Sequence, residues 1–131
     1  MSFNWLDYLA LAKFIKDNPD TYSHISEAAY RASVSRAYYA VFRSALNMAR
    51  KEGFKPSWTG DDHIRIRTFL RESAAAPTAI KQNRRKASVE LDRLCDFRRS
   101  ADYDDKIRGE VKHLATNAIN MADRIAINLS I

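Results

Sequence analysis

The hexapeptide Ala37-Tyr38-Tyr39-Ala40-Val41-Phe42 is apolar on every side of a helix, and this constrains the fold more than any other feature of the chain. A helix on the surface of a small domain carries one apolar stripe and turns its other faces to water. A helix that is apolar all round needs cover all round, so it lies at the centre of a bundle or at a subunit interface. It is expected to begin near Ser23 or Ser26, with Ser26 and Glu27 in its first turn, and to end near Lys51 before Gly53. Alanines set between large aromatics let neighbouring helices approach and interdigitate. One strip of this helix stays polar: Arg36, Ala40, Arg43, Asn47 and Arg50. It is either a solvated face or a wall facing an anion.

The rest of the chain reads as helices joined by short linkers. A first helix over about Asn4 to Asn18 turns Trp5, Tyr8, Leu9, Ala12 and Ile15 inward, with Phe14 at the border. Asn4 can cap it, and Asn18-Pro19-Asp20 stops it. A linker from Gly53 to Asp62 holds Phe54, Pro56, Trp58 and Gly60. A short helix follows from Asp61 or Asp62 to about Glu72, with Ile66, Phe69 and Leu70 inside and Arg65 and Arg71 outside. A second linker runs from Ser73 to Thr78 through Ala74-Ala75-Ala76-Pro77. Thr78 is expected to cap a fourth helix reaching about Ser100, and the last helix is expected from about Asp104 to Leu129, with Gly109 inside it. Only three glycines and three prolines occur in 131 residues, which suits long helices better than a sheet with many tight turns. The expectation is a single all-α domain over residues 1–131, a four- to five-helix bundle.

At the end of the fourth helix Ala87, Leu91, Leu94, Arg98 and Ala101 recur at spacings of three and four and share a face. Four are apolar and one is a guanidinium, which cannot shed its proton and is very costly to bury alone. Arg98 must therefore meet an anion or line a polar cleft. Asp102 lies one turn on, on the same side, and Tyr103 follows, with Arg99 one turn before it. An arginine, a carboxylate and a phenol thus converge at one helix end, either as a structural ion pair beside the core or as a functional cluster.

The net charge of +6 permits an anionic partner such as RNA, DNA or a nucleotide. Lys81, Arg84, Arg85 and Lys86 form a basic run that is either a solvated face or a set of phosphate contacts. Cys95 is the only cysteine, which excludes an internal disulfide and suits a reducing cytoplasm. It lies on the apolar side of its helix and reads as packing. His63 has no second histidine or cysteine near it, so capping or packing fits better than metal binding. No apolar run is long enough to span a bilayer, and the start lacks the basic region and apolar stretch of a secretory signal. Glycine-rich phosphate loops, a helical His-Glu-x-x-His and a nucleophile elbow are absent.

Three segments together resemble the HEPN superfamily: Ser35-Arg36-Ala37-Tyr38-Tyr39-Ala40-Val41-Phe42, His63 opening a short helix through Phe69, and Arg98-x-x-Ala101-Asp102-Tyr103. The nearest branch is that of the small stand-alone prokaryotic proteins, many of them encoded beside a minimal nucleotidyltransferase. The similarity runs from the second helix to the last. It implies an up-and-down helical bundle that forms a homodimer, cytoplasmic, with no metal and no cofactor. Many such proteins are metal-independent ribonucleases acting as toxins, in toxin–antitoxin pairs, or in phage defence. Their arginine stabilises charge on the scissile phosphate, and a histidine a few residues later moves the proton of the ribose 2′-hydroxyl. Both protomers contribute this pair to one cleft.

Here Arg98 matches the arginine, but Tyr103 stands where the histidine would, followed by Asp104 and Asp105. A phenol near its ordinary pKa of about 10 is a poor base at neutral pH, though it can donate a hydrogen bond. On the resemblance, one expectation is a ribonuclease with a degenerate motif: Arg98 on the phosphate, Asp102 and Tyr103 assisting, and Arg36, Lys81, Arg84, Arg85 and Arg99 on the nucleic acid. His63 or His113 would then replace the missing base. The other is a catalytically inactive module that binds a nucleotide or a partner nucleotidyltransferase, with Tyr103 as a residue the partner modifies. A helical scaffold with no small ligand is the third.

Overall fold

The computed structural model describes residues 2–73 and 76–131, so Ala74 and Ala75 of the second linker lie outside the described residues. Five α-helices form: α1 (Asp7–Asp17), α2 (Ser26–Lys51), α3 (Asp62–Arg71), α4 (Thr78–Tyr103) and α5 (Val111–Leu129). Among the described residues there is no strand, and the fold is an all-helical bundle. No helix among them is long and apolar enough to cross a membrane.

The all-round apolar helix is the hub. α2 packs against α1, α4 and α5, and α3 lies mainly against α4. Tyr30, Val34, Ala37, Tyr38, Ala40, Val41, Phe42, Ala45, Leu46 and Ala49 of α2 are all buried. They meet Ala115, Ala118, Ala122 and Ile125 of the last helix and Leu91, Leu94 and Cys95 of the fourth within one continuous core. The many alanines let helix axes come close, which raises the number of dispersion contacts per residue. Two buried hydroxyls bind helices without leaving a polar orphan. Ser33 donates to the Ala12 carbonyl at 2.8 Å, joining α2 to α1, and Ser88 donates to the Arg67 carbonyl at 3.0 Å, joining α4 to α3.

The helix ends follow local chemistry in most places. The Asn4 side chain accepts the Leu6 N–H at 3.1 Å at the first turn, and α1 stops before Pro19. Gly53 takes φ +98° after α2, while Gly53 N–H reaches the Arg50 carbonyl and Phe54 N–H the Ala49 carbonyl. This is the paired-bond stop that favours glycine, and Phe54 then packs edge-on to Phe69 of α3.

Four expectations are corrected. A 3₁₀ segment over Pro19–Ile25, bent at Tyr22, separates α1 from α2 where the sequence suggested only a stop. Thr78 does not cap α4; it is the first helical residue, preceded by Pro77 in extended geometry. α4 runs on to Tyr103, so Asp102 and Tyr103 form its last turn rather than a linker. The last helix starts at Val111, not near Asp104, because Gly109 adopts φ +80°, outside helical space.

What holds the loop after α4 is Arg31 of α2. Its guanidinium donates to the carbonyl of Ala101, one of those the helix C-terminus leaves without a helical partner, and to the carbonyls of Asp104 and Asp105 in the loop beyond it. Its contact with Glu27 at 3.6 Å is a peripheral ion pair worth little.

The alanine-lined centre gives a direct test of packing. Ala118 is fully buried. Replacing it by leucine is expected to cost about 1–3 kcal/mol through overpacking. Urea unfolding checks this: the midpoint falls while the slope stays that of the parent protein.

Candidate functional site

Arg98 is the one arginine that belongs to the core. It is 7% exposed, and its guanidinium carbon lies 5.4 Å from the Tyr38 ring centroid and 5.6 Å from that of Tyr39. Faces of phenol rings attract a cation, more strongly where water is excluded. Asp102 approaches one terminal nitrogen at 3.8 Å, and the Cys95 sulfur approaches the other at 3.8 Å. The Asp102 carboxylate also accepts from the Ser35 hydroxyl at 3.3 Å. The Nε–H of Arg98 has no partner. Burial works against the charge, the Cys95 sulfur and the two phenols favour it, and the net pKa lies above the usual arginine value. The spacing of Arg98 and Asp102 thus brings them together as expected, while Tyr103 is 75% exposed and has no hydrogen bond to the cluster.

A histidine enters the cluster from another helix. His63, in the first turn of α3, is half-buried and stacks on Phe42 with ring centroids 4.3 Å apart. Its Nδ1 meets the Tyr38 hydroxyl at 2.5 Å. Burial, and then the neighbouring cysteine, push the Tyr38 pKa far up, so the phenol keeps its proton and donates it to Nδ1. Burial first, then the positive fields of Arg98, Arg67 and Arg99, pull the His63 pKa below 6.5. The imidazole is therefore neutral at neutral pH, with its proton on Nε2.

The loop before α3 is built on Asp62. This buried carboxylate accepts the Ser57 N–H at 2.9 Å, the Ser57 hydroxyl at 2.8 Å and the Trp58 N–H at 2.8 Å, and it pairs with Arg65 at 2.7 Å. Burial alone would raise its pKa, but these donors outweigh it and hold the group at about 2. The clamp forces Trp58 to φ +59°, a left-handed conformation that costs a bulky residue about 1–2 kcal/mol. Strain of this kind persists only where surroundings over-determine it, and it clusters at functional positions. The Trp58 side chain is 60% exposed, so it is not paid back by core packing.

A cavity of about 360 Å³ opens between this loop, the start of α1 and the polar strip of α2. Arg36 stacks on Tyr8 at 4.8 Å and on Tyr39 at 5.5 Å. Arg43 stacks on Trp5 at 4.2 Å and faces Trp58 at 5.6 Å. The strip that the sequence left open as solvated face or anion-facing wall is therefore a cavity wall at Arg36 and Arg43. Tyr39 and His63 line the cavity and also touch the Arg98 cluster, so the two regions share a partition.

The other expected contacts are scattered. Arg84 is taken up by a two-pronged ion pair with Glu52 at 3.0 and 2.6 Å and donates to Ser73 at 2.9 Å, tying α4 to the end of α2. Lys81 and Arg85 sit with Arg71 around a separate surface hollow. Arg99 pairs with Asp96 at 3.2 Å on the outside of α4. His113 is exposed beside Glu110 and has no contact with the Arg98 cluster among the hydrogen bonds and ion pairs of the described residues. Cys95 is buried and free. Arg43 stood in the open strip of α2, while Trp5, Tyr8, Trp58 and Asp62 carry no site signal in the sequence. Their composition as aromatics and charges near Arg36 was visible, but not their convergence. Among the described residues no group of three or more His, Cys, Asp or Glu side chains is placed to hold a metal ion.

No family model, no curated protein and no solved structure matches this chain. The class that the fold defines is an all-helical bundle with an arginine-centred cluster at its interior.

Two of the shifted groups, His63 and Asp62, make stability depend on acid. His63, lowered in the fold, takes up its proton later than the unfolded chain does, so stability falls as pH drops below about 6.5. Asp62, also lowered, contributes stability above the usual carboxylate range and loses it as pH falls from about 4 through 2. Urea midpoints measured from pH 8 to pH 2 are expected to decline in these two stages. Asp62→Asn is expected to cost about 1–3 kcal/mol at pH 7 and to remove the second stage.

Proposed function

We propose that this chain is a HEPN-like module that binds RNA or a nucleotide and does not cut it. In this reading it pairs with a second copy and with a nucleotidyltransferase partner. The observation that carries it is the burial of Arg98. A guanidinium wrapped by Tyr38, Tyr39, Cys95 and Asp102 is spent on the interior, and the phenol at position 103 stands 75% exposed, apart from it. The phosphate-stabilising group and the group in the histidine's place are thus not presented to one substrate atom. The exposure of Tyr103 also suits the role of a residue modified by a partner enzyme.

One observation favours a second reading, a metal-independent ribonuclease. His63 supplies a neutral imidazole one phenol away from Arg98. In that reading the imidazole takes its other tautomer, with Nδ1–H donating to the Tyr38 oxygen, so that Nε2 takes the 2′-hydroxyl proton; the alkoxide attacks the adjacent phosphorus, and the 5′-oxygen leaves with a proton from the imidazolium. The products are a 2′,3′-cyclic phosphate and a 5′-hydroxyl.

Labelled single-stranded RNA in EDTA separates the two. The module reading predicts saturable binding that weakens as salt rises and no cleavage over hours. Cleavage that His63→Ala abolishes contradicts it and establishes the second reading. Co-expression with a nucleotidyltransferase encoded beside the gene is expected to give a stable complex or a mass increase at Tyr103.

A further inference from the structure

We propose that the cavity between the start of α1, the α2 strip and the Trp58 loop is a binding site for one nucleotide unit, its base on Trp58 and its phosphate on Arg43 and Arg36. The assignment takes its ligand class from the RNA- or nucleotide-binding reading above, and it rests on the residues that line the cavity rather than on Arg98.

Charge is the first argument. Arg31, Arg65, Arg67, Arg84, Arg99 and Arg124 each sit within ion-pair distance of a carboxylate. Arg36, Arg43 and Arg50, on one strip of α2, have no such carboxylate among the described residues. The acid nearest them in the cavity wall, Asp62, already accepts four donors. Two of these guanidinium groups, those of Arg36 and Arg43, therefore line the site with their charge unanswered. The Nε–H of Arg43 is buried without a partner, a donor that an entering oxygen would satisfy.

Geometry is the second. Stacking on Tyr8, Tyr39 and Trp5 holds the Arg36 and Arg43 planes in fixed orientations, leaving N–H edges free for two-pronged contact with phosphate oxygens. Trp58, whose ring is exposed, offers a π face that accepts a base without regard to its identity. Trp58 is the most telling. It is exposed and held in left-handed geometry by a buried carboxylate, which is a costly way to place a side chain that the core does not use. His63 adds a neutral N–H donor on the cavity wall. The volume of about 360 Å³ falls in the range of small-ligand sites.

Trp5 and Trp58 are the two tryptophans of the chain and both line the cavity, so intrinsic fluorescence reads the site directly. Titration with AMP and UMP is expected to quench saturably. Adenosine and ribose 5-phosphate, each lacking one half of the ligand, are expected to bind at least tenfold more weakly. Arg43→Gln and Trp58→Leu are each expected to weaken AMP at least tenfold, the latter read through Trp5, and Arg124→Gln, which removes an exposed ion pair with Glu90 outside the cavity, to change it less than twofold. Position 58 is exposed, so that variant tests the site even if Arg43→Gln unfolds. A short oligoribonucleotide binding much more tightly than AMP identifies an RNA strand as the source of the unit; equal affinity identifies the free nucleotide. Absence of saturable quenching in the folded parent protein, or AMP affinity unchanged by Trp58→Leu and Arg43→Gln, overturns the assignment. If RNA binding then persists in a separate assay, the functional reading stands and only this site fails; if RNA binding is absent too, both fail.

Discussion

A guanidinium cannot discharge itself to enter a protein interior, and this molecule has to accommodate several. The apolar centre of α2 demands cover on all sides, yet arginines lie on that helix and on the helices that cover it. The chain meets the conflict with aromatic faces. Tyr38 and Tyr39 receive Arg98, Tyr8 and Tyr39 receive Arg36, and Trp5 and Trp58 receive Arg43. Carboxylates do this work at the surface, but within the bundle only Asp102 stands beside a buried guanidinium. Ring faces hold charge while still packing as hydrocarbons, so the core stays continuous around the arginines. The remaining debt is visible in the Nε atoms of Arg31, Arg43 and Arg98, which are buried without partners.

The same device divides the molecule into an inner and an outer compartment. Tyr39 carries Arg98 and Arg36 against one ring, and the Tyr38–His63 hydrogen bond links the Arg98 cluster to the cavity wall. The inner arginine is shielded and fixed. The outer pair is stacked on rings and lines the cavity. Asp62 governs the outer compartment from below, since its carboxylate sets the loop that carries Trp58.

Much of this was legible in the chain. The all-round apolar run placed α2 at the centre, Asn18-Pro19 ended α1, and Gly53 ended α2, because each depends on neighbours in sequence. The pairing of Arg98 with Asp102 was legible for the same reason, being one helical turn. The loop after α4 was not. Acidic residues look like the start of a helix, and the donor that instead captures their carbonyls, Arg31, comes from far up the chain. The cavity was half legible: Arg36 and Arg43 share a strip by spacing, but Trp5, Tyr8 and Trp58 arrive from two other segments, which no local pattern reveals. Asp62 read as a helix-start residue; its donors on Ser57, Trp58 and Arg65 all lie within five residues, but a loop conformation with no repeating pattern aims them at it.

The central claim is that Arg98 is spent on the interior while the exposed arginines remain free to exchange with water. Hydrogen exchange of the arginine Nε–H groups, followed by nitrogen-15 NMR on the folded protein, measures this directly. The Arg98 Nε–H is expected to exchange at least tenfold more slowly than those of Arg99 and Arg50. Exchange of Arg98 at the same rate as these surface arginines would contradict it, because the guanidinium would then be open to solvent and available to a substrate.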